Sequence, residues 1–132
     1  MCLNYSGLKT YDDNNKVRIG YKIFYKTPTG YENRFFNDNN NKHRIGEWVK
    51  NKPCKNPIEC KSYYYKQFKP KYYKAGFHFY STKPNLDNMY YEIINIGLRI
   101  VECICENITT TGRQNNKSCF VAQSYRLMRE VK

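Results

Sequence analysis

No stretch of this 132-residue chain approaches the roughly 20 apolar residues that span a bilayer, so no transmembrane helix is expected. The start, Met1-Cys2-Leu3-Asn4-Tyr5-Ser6-Gly7, lacks the apolar core of a secretory signal, so secretion is not expected. Acids are scarce: Asp plus Glu number 11 against 23 Lys plus Arg, which leaves a formal charge of +12. Histidine occurs twice and tryptophan once. No two cysteines have the two-residue spacing of a zinc knuckle, so no metal is expected, and no cofactor either. Low-hydrophobicity disorder is also excluded, because 40% of residues are apolar and 17% aromatic. What remains is one basic globular domain, 1–132, long enough to bury a core.

The excess charge is uneven. Residues 42–74 hold ten Lys or Arg and only Glu47 and Glu59, giving +8 of the +12. Trp48, Tyr63, Tyr64, Tyr65, Phe68, Tyr72 and Tyr73 are interleaved with them. Ammonium groups suit a phosphate backbone and aromatic rings suit stacked bases. Lys61, Lys66, Lys69, Lys71 and Lys74 are therefore candidate phosphate contacts. Tyr63, Tyr64, Tyr65, Tyr72 and Tyr73 are the candidate stacking groups. The competing reading is a solvated face that keeps the protein soluble, with tyrosines packing their rings and wetting their hydroxyls.

Six cysteines without a secretory context read as reduced thiols. Cys54, Cys60 and His43 make a poor metal set on spacing. Cys2 would become a candidate nucleophile only if Met1 were removed, and no base lies nearby in sequence. Sixteen asparagines, with many Lys and Tyr, point to an AT-rich genome such as that of a large virus, a phage or a protist. The expected location is then cytoplasmic, either the host cytoplasm or a virion.

Along the chain, residues 1–15 read as irregular. Val17, Ile19, Tyr21, Ile23 and Tyr25 alternate with Arg18, Gly20, Lys22, Phe24 and Lys26, the strongest strand pattern present. Pro28-Thr29-Gly30 turns it, and Tyr31–Phe36 pairs back as a hairpin. Residues 50–71, with Pro53, Pro57 and Pro70, read as a long basic connection. Gly76–Tyr80 is a second strand, with His78 opposite Phe77 and Phe79. Leu86, Met89, Tyr90, Ile93 and Ile94 recur at helical spacing, so a helix is expected over about 85–97, ended by Gly97. Leu98–Cys105 and Cys119–Met128 are strands, with a turn region over Thr109–Asn116. The expected fold class is α+β: a small, mostly antiparallel sheet with one main helix.

The segment Ala75-Gly76-Phe77-His78-Phe79-Tyr80-Ser81-Thr82, followed by Asp87-Asn88-Met89-Tyr90-Tyr91, resembles the middle motif of ADP-ribosyltransferase-like folds. Together with Tyr21-Lys22-Ile23-Phe24 and Trp48 it is also similar to small proteins of unknown function from bacteria, phages and large viruses. The resemblance spans residues 17–105. It implies a nucleotide cleft between the Val17–Lys26 and Gly76–Tyr80 strands. There His78 or Ser81 would line the cleft, and Tyr90 or Tyr91 would stack on the ring. Lys22 or Tyr25 stands where such transferases place a His or Arg. The catalytic candidates on this reading are His78, Tyr90 and Lys22, acting on NAD or an RNA phosphate. The late acidic residue of many transferases has no counterpart. Three functions are thus in play. The leading one is a module binding nucleic acid or a phosphate-bearing nucleotide. The others are a virion-associated protein with an acidic partner, and a transferase-like enzyme.

Overall fold

The computed structural model describes residues 3, 4, 7–11, 16–33, 42–50, 57–60, 71–85, 97–114 and 116–131. Of these, 72% lie in strands and none in a helix. The strands are β1 (Lys9–Thr10), β2 (Val17–Thr27), β3 (Gly30–Asn33), β4 (Lys42–His43), β5 (Trp48–Lys50), β6 (Ile58–Glu59), β7 (Tyr72–Tyr73), β8 (Phe77–Tyr80), β9 (Leu98–Gln114) and β10 (Lys117–Val131). The expected α+β class is therefore wrong: the described chain is all-β, and the sheet is large, with eight strands. All but the ends of the helix expected over 85–97 lies outside the described residues.

The reason for the correction is the length of the last two strands. β9 and β10 run for 17 and 15 residues. The turn region expected over Thr109–Asn116 is instead ladder on both sides of a tight reversal, pairing Gln114 with Lys117 and Thr111 with Phe120. Val, Ile, Thr and Tyr supply ten of the 32 residues of these two strands, and such side chains suit a pleated surface. The segment expected to be irregular, 1–15, also contributes: β1 pairs with β9 through Lys9–Thr111 and Thr10–Thr110. Within the expected connection over 50–71, Ile58–Glu59 forms β6 and pairs with β7. The β2–β3 hairpin forms around Pro28 and Thr29, as the turn sequence predicts.

Every pairing among the described residues is antiparallel. β9 pairs on one edge with β10 and on the other with β2, from Val17–Glu106 to Tyr25–Leu98. β8 pairs with β10 over Phe77–Tyr80 and meets β2 at Tyr21–Tyr80. β2, β9, β10 and β8 thus form a closed circuit of hydrogen-bonded strands, a small barrel whose inner faces bury one another. Two offsets in the β9–β10 ladder, at Val121/Ala122 and Leu127/Arg129, supply the extra residues that let long strands bend.

The barrel interior holds Phe24, Phe79, Val101, Cys103, Cys105, Ile108, Phe120, Ala122, Tyr125 and Leu127. Phe79 and Phe120 stack at 5.5 Å between centroids. Gly20 sits where the strands close: a Cβ there would stand 2.6 Å from Phe120 Cζ and 2.9 Å from Phe79 Cβ. A second core lies on the outside of the sheet, where Leu3, Cys60 and Tyr73 cover Ile23, Tyr80, Leu98, Ile100, Cys119 and Val121. The alternation read from β2 is real, but its two faces share the burial. Phe24 and Lys22 point inward, while Val17 and Ile19 at the start of the strand lie exposed on the outer face.

Candidate nucleic-acid interface

The expected catalytic residues are built into the cores. Lys22 is 7% exposed; its Nζ donates to the His78 carbonyl at 3.1 Å and lies 5.3 Å from the centre of the Phe79 ring. Burial lowers its pKa from the usual 10.5 to about 8, against a smaller raising effect of Cys103 and Cys105. His78 points to the other face of β8, into the second core. Its Nε2 is 2.8 Å from the Tyr73 hydroxyl, and that hydroxyl accepts the Leu3 N–H at 3.0 Å. The phenol proton is then directed at Nε2, which accepts it, and the ring makes its other hydrogen bond to the Gly76 backbone. Burial, reinforced by the charge on Lys22, depresses the His78 pKa to about 3. This ring is a neutral strut with both nitrogens engaged. Tyr90 lies outside the described residues. The two strands expected to flank a cleft, β2 and β8, are neighbours in the sheet at Tyr21 and Tyr80.

The expected phosphate contacts are only partly described. Lys61, Lys66 and Lys69, with Tyr63, Tyr64 and Tyr65, lie outside the described residues, as do Cys2 and Cys54. Lys71 and Lys74 are exposed. Tyr72 is exposed at 56%, but its neighbour Tyr73 is 2% exposed and occupied by His78 and Leu3, so its ring is not available to a base. The β6–β7 pairing causes this difference, because alternate residues of a strand face opposite sides. Cys60 is a buried free thiol packed in the second core. Cys103 and Cys119 are buried too, and burial raises their thiols to about 12 and about 11, which leaves them inert at neutral pH.

A site that the charge count alone did not single out lies on the outer face of the barrel. β5 adds to the free edge of β10, with Trp48 opposite Arg126 and Lys50 opposite Ser124. Arg126 stands opposite Ile104, and Ile104 opposite Ile19. Partners across a sheet share a face. The ladder therefore lines up Trp48, Arg126, Ile104 and Ile19 in one row, with Lys50, Ser124, Glu106 and Val17 in the next. Trp48 is 41% exposed. Arg126 is held over the β4–β5 turn by donating Nε–H to the Gly46 carbonyl at 3.0 Å. The signal was present in the sequence as the period of β10, but the partner strand that sets the row was not.

Three of the six described acids are in ion pairs, and Glu106 shares the outer face with Lys50. Glu130 takes Lys26 and Arg99, Glu102 takes Arg129, and Glu47 lies against His43. Tyr31 also donates to Glu130 at 2.7 Å, and burial together with that bond raises the phenol to about 12. Among the described residues, Arg18, Lys50, Arg113 and Arg126 form no ion pair with a carboxylate. A flat face carrying an indole, a guanidinium and an ammonium can stack a base and neutralise phosphates at once. In comparisons with known proteins, no family model, no curated protein and no solved structure matches this chain.

Proposed function

We propose that this chain is a binding protein for single-stranded nucleic acid, held on the outer face of the barrel by Trp48, Arg126 and Lys50. The observation that carries the reading is the cross-strand row that sets exposed Trp48 beside Arg126, with Lys50 in the adjacent row; among the described residues neither cation is in an ion pair, and Glu106 shares the row of Lys50 from two strands away. A chain of formal charge +12 adds long-range attraction to any polyanion. Catalysis is the less supported alternative, because Lys22 and His78 are enclosed and hydrogen-bonded.

Trp48 is the only tryptophan, so its fluorescence reports directly on this face. Titration with short single-stranded DNA or RNA should quench it, and the logarithm of the affinity should fall steeply with the logarithm of the salt concentration. An unchanged Trp48 signal at low salt, or a flat salt response, would remove the proposal.

A further inference from the structure

A second cluster lies in the barrel beyond the Phe79–Phe120 stack. There the interior face continues with Arg18 on β2, Ser81 just after β8 and Ser118 on β10. Arg18 lies with its guanidinium carbon 4.7 Å from the centre of the Phe120 ring, so the ring fixes the height of the fork. Its Nη2 donates to Ser81 Oγ at 3.1 Å, and Ser81 Oγ lies 3.2 Å from Ser118 Oγ. The Ser81 N–H donates to the Ser118 carbonyl, which ties the two serines together through the backbone as well. Arg113 stands directly opposite Ser118 in the β9–β10 ladder. It spends one donor on the Asn116 carbonyl at 3.1 Å.

The donor count in this cluster is unbalanced. A guanidinium has five N–H donors, and among the described residues Arg18 has one hydrogen-bond partner for them, as does Arg113. Whichever serine donates to the other, one hydroxyl proton stays available. Neither arginine is paired with a carboxylate among the described residues. Two forked cations and a hydroxyl on one face, with no carboxylate paired to them among the described residues, match a compact group with several anionic oxygens.

We infer that the cluster formed by Arg18, Ser81, Arg113 and Ser118 binds a phosphate monoester, either at the terminus of a nucleic acid strand or on a free nucleotide. A terminal phosphate offers three oxygens and nearly two charges, whereas a backbone diester offers two oxygens and one. The site therefore distinguishes an end from an interior. The inference rests on the proposed nucleic-acid reading only for the source of the phosphate, and not for the site itself.

The test compares two single-stranded oligonucleotides of one sequence, with a 5′-phosphate or a 5′-hydroxyl, together with inorganic phosphate and a nucleoside monophosphate. Affinity is read by anisotropy, and amide shifts of the labelled protein locate the contact. The phosphorylated strand should bind about tenfold more tightly. Inorganic phosphate should shift the amides of Arg18, Ser81 and Ser118. Arg18→Lys, which keeps the charge but loses the fork over the Phe120 ring, should abolish the preference and leave the hydroxyl strand's affinity unchanged; Ser118→Ala should weaken the preference. Phosphate-induced shifts at these residues with neither strand bound would keep the site, assign it to free nucleotides and overturn the nucleic-acid reading. Equal affinity for both strands, with no shift at Arg18, Ser81 or Ser118, would overturn the inference while leaving the outer face in place.

Discussion

Tyr73 and His78 share a buried hydrogen bond of 2.8 Å in which the phenol donates to Nε2, while the same hydroxyl receives the Leu3 N–H. That one contact links the N-terminal segment, β7 and β8. It also explains why two residues with suitable chemistry do structural work: their polar atoms are spent on each other, on the Leu3 N–H and on the Gly76 backbone.

The first prediction follows from it. His78 should stay neutral from pH 8 down to about 4, because its folded pKa is depressed to about 3. Below the ordinary value of 6.5 the unfolded chain gains a proton that the folded chain refuses. Stability should then fall as pH drops from 6.5 towards 3, by up to about 1.4 kcal/mol per pH unit from this group. Imidazole NMR shifts check the protonation state. Tyr73→Phe should cost about 1–3 kcal/mol in urea unfolding, since it leaves two buried partners unsatisfied. A ring titrating near 6.5 would show that the histidine is not locked in this way.

Lys22 gives the opposite pH window. Its folded pKa is lowered to about 8, against 10.5 when unfolded. Between those values the unfolded chain holds a proton that the folded chain has lost, so its contribution to stability rises with pH across the window. Lys22→Met keeps the stem and removes the desolvated charge. At pH 7 the variant should be within about 1 kcal/mol of the wild type or above it. The stability difference between the two proteins, followed from pH 8 to 10.5, should move in favour of Lys22. A constant difference over that range would exclude a depressed ammonium.

Gly20 tests the closure of the barrel. Gly20→Ala places a methyl group 2.6 Å from Phe120 Cζ and 2.9 Å from Phe79 Cβ. The stacked rings must shift, at a cost of about 1–3 kcal/mol. Thermal or urea unfolding measures it, and a neutral substitution would mean that β2 and β8 do not approach this closely.

Trp48 separates binding from folding. The ring is exposed, so Trp48→Ala should change stability by less than about 0.5 kcal/mol. Binding of single-stranded nucleic acid should weaken by about 1–3 kcal/mol, the usual worth of one stacked base. Arg126→Ala should weaken it as well and make the salt dependence shallower. Unchanged affinity in both variants would move the contact off this face.

The β2 strand, its turn at Pro28-Thr29 and the strand nature of Gly76–Tyr80 were legible locally, because alternation and turn chemistry need only neighbouring residues. Thr109–Gln114 was not. Its Thr, Gly and Arg read as a turn, yet pairing with Lys117–Val121 holds it extended. The basic, aromatic character of 42–74 was also legible as composition, but the role of each aromatic was not: Tyr72 and Tyr73 are adjacent, identical in type and opposite in fate.

The amino-acid sequence by itself determined the excess of cations, the scarcity of acids, the lack of a long apolar run and the alternating pattern of β2. Only the tertiary structure decided that the sheet closes on itself, that His78 and Lys22 are buried, and that Trp48 stands beside Arg126 while Arg18 reaches Ser81. The physical reason is that charge and periodicity are properties of residues in order along the chain. Burial and cross-strand neighbours depend on register between segments up to a hundred residues apart, which the β9–β10 hairpin and its partners set together.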